Sequence, residues 1–113
     1  MQIRFSPNQA HYQRLNTDEL RAAFLVETLF KSGQIDFVYS DADRAVIGSA
    51  VPGSSPLKLN ADPELRASYF CERRELGILN VGGAGAVEVD GKQHEMEKLD
   101  CLYAGRGSQN ISF

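Results

Sequence analysis

The 113-residue chain has no tryptophan, two histidines and two cysteines. Each scarcity closes a route. A protein metal centre takes three or four nitrogen, sulfur or oxygen ligands that converge on one point. His11 and His94 do not form an H-x-H pair, and His11 lies in a polar N-terminal stretch. No metal ligand set is assigned. Cys71 and Cys101 are too few for a disulfide framework and are read as buried thiols of a reducing compartment. No apolar run approaches the ~20 residues that a membrane helix needs. The opening MQIRFSPNQAHYQR lacks an apolar signal core, so a cytoplasmic setting is expected. The net charge of −3, with no long run of one sign, favours neither nucleic acid nor an anionic membrane surface as partner.

What remains is an ordinary globular composition, 42% apolar and 24% charged, in a length that suits one domain. Residues 1–16 are mixed and polar and read as an arm, with 17–113 as the folded domain. Asn16-Thr17-Asp18-Glu19 is a helix start, with a capping side chain and acids in the first turn. Leu20, Ala23 and Phe24 give that short helix its apolar face. Beyond it the signal turns to strands. LVETLF (25–30) and IDFVYS (35–40) flank a turn at Ser32-Gly33, and RAVIGSAV (44–51) stops at the loop Pro52-Gly53-Ser54-Ser55-Pro56. LKLN (57–60) is a candidate short strand. The stretch 67–81 is too long for one flat strand and is expected to bend. Further strands are expected over 74–82, 85–90, 93–97 and 101–105, with NISF (110–113) as the last. One helix with many short strands implies a mainly β fold, a barrel or sandwich.

The strongest local signal is GAVEVDGKQHEME (85–97). Asp90-Gly91 between alternating residues is a two-residue hairpin turn. Such a turn sets Val89 opposite Lys92, Val87 opposite His94 and Gly85 opposite Met96. His94 then faces inward with Val87, Val89 and Met96, while Glu88 and Glu95 face water. Gly77, Gly82, Gly83 and Gly85 could suggest a phosphate loop, but GGAG lacks a P-loop lysine and leads into a strand rather than a helix, so a tight turn or bulge is the expectation.

The run Glu72-Arg73-Arg74-Glu75 poses a different problem. Read as a strand, it places one acid and one base on each face. Charge on both faces is tolerated in a packed wall only when paired. A structural ion-pair network, with Arg73 or Arg74 bridging to a glutamate, is the plainer expectation. The functional alternative is an arginine that grips a substrate carboxylate through its bidentate fork. Arg73, Arg74 and His94 are therefore the candidate substrate-binding residues. His11 could reach a neighbouring subunit from the arm, and the aromatics Tyr69, Phe70 and Tyr103 read as core or interface.

The segments LRAAFLVETLF, FVYSDADRAVIGSAVP, SYFCERRELGILNVGGAGAVEVDG and DCLYAGRG, in that order, resemble the N-terminal half of the 5-keto-4-deoxyuronate isomerase family. The resemblance covers the chain from about Leu20 onward. It implies a cupin-like β domain that is half of a bicupin, in an enzyme forming homo-oligomers, usually hexamers. The implied reaction is a ketol isomerisation, the interconversion of 5-keto-4-deoxyuronate and 2,5-diketo-3-deoxygluconate in pectin and uronate catabolism. It also implies zinc, held by histidines and a glutamate of a C-terminal barrel. That barrel is expected to lie beyond this chain, so the zinc ligands and the catalytic groups are absent from it, and the chain alone is expected to be inactive. The competing readings are a stand-alone, metal-free cupin-like module that binds a sugar acid or serves oligomerisation, and a small single-domain cupin enzyme. The ligand count argues against the last.

Overall fold

A computed structural model describes residues 1–113 and divides them into two compact units, Met1–Val51 and Pro52–Phe113. The division falls at the exposed loop 52–56 that the proline and glycine content marks. The fold is mainly β, as the strand-rich pattern requires, and its strands form three open sheets. No helix is long and apolar enough to cross a membrane.

In the first unit, β1 (Gln2–Arg4), β2 (Gln34–Ser40) and β3 (Ala45–Val51) form one sheet, β1 parallel and β3 antiparallel to β2. Stretch 1–16, read as an arm, therefore contributes a strand, and it also carries a one-turn helix, α1 (Gln9–Tyr12), capped by the Asn8 side chain. The helix α2 (Thr17–Phe24) starts where its capping signal lies. Asn16 Oδ1 accepts from Glu19 N at 3.0 Å and Glu19 Oε2 accepts from Asn16 N at 2.8 Å. Tyr12 meets Phe24 edge-on across the two helices, ring centroids 6.5 Å apart.

The expected strand at 25–30 does not form. Instead, single bonds pin that segment: Phe30 N donates to the buried Ser49 hydroxyl at 2.8 Å, and Arg4 donates to the Leu25 carbonyl. Phe30 adopts φ of +66°, which a strand does not tolerate. Apolar content alone resembles a strand here, but no neighbour offers it a ladder.

In the second unit, β4 (Leu76–Leu79) pairs with β7 (Cys101–Ala104), and β5 (Gly85–Val89) lies between β6 (Lys92–Met96) and β8 (Ile111–Ser112). The β5–β6 register is the expected one: Val89 with Lys92, Val87 with His94, Gly85 with Met96. Asp90 and Gly91 take φ of +49° and +83°, the paired positive values of a type I′ turn. Residues 57–60 run beside β8 through bonds of Leu57 with Phe113 and from Leu59 N to the Ile111 carbonyl. Leu59, Leu65, Phe70, Cys71, Val87, Met96, Ala104 and Ile111 are this unit's buried residues.

Candidate functional site

Between Ala67 and Leu76 the chain bends, but it does not make the strand over 72–75 that the charge alternation suggests. Phe70–Glu72 is a single 3₁₀ turn in which Glu72 N donates to Tyr69 O at 3.2 Å. Glu72 folds back and accepts from Ser68 N at 2.6 Å. The turn buries Phe70 and Cys71, so the next two residues leave on the outside. Arg74 lies with its guanidinium carbon over the Phe70 ring, 5.6 Å from the centroid, a cation–π distance. Its Nε is buried and has no hydrogen-bond partner.

A second segment meets this one. Gly105 to Ser108 is a tight turn in which the Ser108 amide and hydroxyl both donate to Gly105 O, at 3.2 and 2.9 Å. Gly107 has φ of +101°, a value that favours glycine, and its N–H donates to Cys71 O at 2.9 Å. That bond ties the turn carrying Arg106 to the turn carrying Arg73 and Arg74. The Asp90 carboxylate holds the following residues by accepting from Gln109 N at 3.0 Å and Asn110 N at 2.8 Å.

Arg73, Arg74, Glu75 and Arg106 line the resulting open depression of about 520 Å³. Neither Arg73 nor Arg74 forms the expected salt bridge; the ion pairs Arg21–Glu27 and Lys31–Asp36 lie in the other unit. Both nearby glutamates are turned to other partners. Glu72 caps Ser68, and Glu75 stands by the Tyr103 hydroxyl, whose pKa the carboxylate raises above the ordinary tyrosine value. With three cations and one carboxylate, the lining carries an excess of positive charge in a chain of net charge −3.

The other candidates lie elsewhere. His94 sits half-buried on β6 opposite Val87, as expected, and is not part of the lining that Arg73 and Arg74 share. His11 is exposed on α1. Cys71 is fully buried, and its thiol pKa is raised chiefly by burial. Cys101, read as buried, is exposed instead, because β7 turns residues 101 and 103 outward and leaves Ala104 inside. A smaller depression, about 350 Å³, is lined by polar groups that include Lys58, Asn60, Tyr69 and Gln109. No three His, Cys, Asp or Glu side chains converge where they could hold a metal ion. Sequence reasoning singled out Arg73 and Arg74 by charge but missed Arg106, whose one signal is its place between the glycines of Gly105-Arg106-Gly107.

No protein-family profile matches the chain. Over its full length it is similar to proteins named 4-deoxy-L-threo-5-hexosulose-uronate ketol-isomerase. Identity is 47% over 113 residues with the protein of Halalkalibacterium halodurans and 46% over 113 with that of Lachnoclostridium phytofermentans. It is 44% over 113 residues with that of Bacillus subtilis. In each case the match takes in 100% of this chain and 41% of the relative, so the chain is similar to a part, about two fifths, of uronate ketol-isomerases.

Proposed function

We propose that the chain is the N-terminal part of a 4-deoxy-L-threo-5-hexosulose-uronate ketol-isomerase. The enzyme would be a cytoplasmic homo-oligomer of pectin and uronate catabolism, built from two cupin-like domains. One observation carries this reading: identity of 41–47% that runs through the whole chain and is not confined to one motif. The open sheets and the Asp90-Gly91 hairpin accord with a cupin-like half.

Ketol isomerisation moves a proton between adjacent carbons and needs a polarised carbonyl. The zinc that the resemblance implies does not fit the residues present, since no three ligating side chains converge. Under this reading its ligands belong to the part of the relatives that this chain does not match. The role left to this chain is to bind and orient.

A fusion of the chain to the unmatched portion of the Bacillus subtilis relative tests the proposal. The fusion is expected to isomerise 4-deoxy-L-threo-5-hexosulose uronate. The 113-residue chain alone is expected to retain no stoichiometric zinc by mass spectrometry and to show no turnover. A folded fusion without activity would count against the assignment, and zinc-dependent turnover by the chain alone would overturn the division of labour.

A further inference from the structure

We infer that Arg73, Arg74 and Arg106 form a binding site for the carboxylate of a sugar acid, with Glu75 as acceptor for its hydroxyl groups; the sugar-acid class rests on the proposed function, the anion site on geometry alone. Three features make this a built site. The fork of Arg74 is held against the Phe70 ring, with a buried Nε that lacks a partner. The bond from Gly107 N to Cys71 O, 2.9 Å, fixes the turn that bears Arg106 against the turn that bears the other two. And no protein carboxylate neutralises the forks of Arg73 and Arg74, although two glutamates flank them in sequence.

The mixed lining selects the ligand. Guanidinium groups only donate, and they match the paired oxygens of a carboxylate. Glu75 lines the same depression and only accepts, so its carboxylate has lone pairs for ligand hydroxyls. A ligand that satisfies both must combine an anionic acceptor with hydroxyl donors. A neutral sugar would leave the cations unanswered, and a phosphate dianion would bring a second negative charge against Glu75 while offering it a single hydroxyl, where a sugar acid offers several. The depression, about 520 Å³, holds a ligand of monosaccharide size with water.

The test is titration of the 113-residue chain with D-galacturonate, D-galactose and inorganic phosphate, followed by calorimetry and by amide chemical shifts. Galacturonate is expected to bind saturably, to shift the amides of residues 72–75 and 105–107, and to weaken as salt is raised. Arg106→Gln, on an exposed turn, should cost roughly tenfold in affinity, and Arg74→Lys should cost a similar factor because it keeps the charge but loses the fork. Glu75→Gln should shift preference toward phosphate. An unchanged thermal melt for Arg106→Gln separates lost binding from lost fold. Equal binding of galactose, preference of the unaltered chain for phosphate, or no saturable binding of galacturonate would each overturn the site. Because the fusion's turnover is read separately, an active fusion with no binding by the chain sinks the site alone. Binding by the chain in an inactive fusion sinks the activity alone.

Discussion

Asn80 joins two turns through one amide. Its Nδ2 donates to the carbonyls of Gly83, Met96 and Glu97 at 2.8, 3.0 and 3.2 Å, and its Oδ1 accepts from Gly82 N at 3.0 Å. Asn80→Asp would turn a donor into a charged acceptor facing three carbonyl oxygens. We expect it to cost about 3 kcal/mol of stability, and Asn80→Ala less, about 1–2 kcal/mol, in urea unfolding. An Asn80→Asp variant that unfolds at the unaltered midpoint would refute this account of the turn. The cysteines make a second residue-scale prediction. The exposed Cys101 should react with a thiol reagent in the native chain, and the buried Cys71 only on unfolding. Burial raises the folded pKa of Cys71 above its ordinary 9.0. A raised folded pKa means that the contribution of the thiol to stability is whole below the unfolded pKa and fades as pH rises through the folded one. Thermal melts between neutral and alkaline pH should therefore show a decline that Cys71→Ala reduces. Two equivalents of reagent consumed by the native chain would contradict the burial.

At the scale of elements, β2 and β3 approach each other at a place that requires glycine. Phe37 faces Gly48 across the sheet, and a Cβ on Gly48 would lie 2.6 Å from the Asp36 carbonyl oxygen and in contact with the Phe37 ring. The carbonyl cannot swing aside as a side-chain tip could. Gly48→Ala is expected to destabilise the first unit by about 1–3 kcal/mol, read from denaturant unfolding. The elements also differ in how far the sequence discloses them. The β5–β6 hairpin is legible down to its register, because Asp90-Gly91 encodes the turn locally and the alternation around it encodes the faces. The α2 start is legible for the same reason, its capping box lying within four residues. Segments 25–30 and 72–75 are not legible as they stand. Each is decided by a bond from a backbone amide to one side chain, Ser49 for Phe30 and Glu72 for Ser68, and propensity carries no trace of such a bond. The candidate site is half visible on the same terms. Charge discloses Arg73 and Arg74, while Arg106 joins them only through a turn closed more than thirty residues away.

At the scale of the whole molecule, the chain comprises two compact units, and the candidate site lies wholly within the second. In that unit one ribbon encloses another. The β5–β6 hairpin occupies the chain between β4 and β7, and the last β4–β7 pair, Leu79 with Cys101, closes around it. This nesting sets an order of events in folding. The inner hairpin has local contacts and a preset turn, and hairpins of that kind close in about 1–10 μs. Once it is formed, the ends of β4 and β7 no longer have to find each other across a flexible chain, and much of the loop-closure entropy has already been lost. Weakening the inner turn by Gly91→Ala should then slow refolding, whereas Leu102→Ala in the outer ribbon should mainly hasten unfolding, as stopped-flow measurements would show. The reverse pattern would mean that the outer ribbon forms first. In the expected order, the two arginine-bearing turns are among the last parts of the unit to be brought together, since the 70–74 turn and the 105–107 turn flank the outer ribbon and meet only when it has zipped.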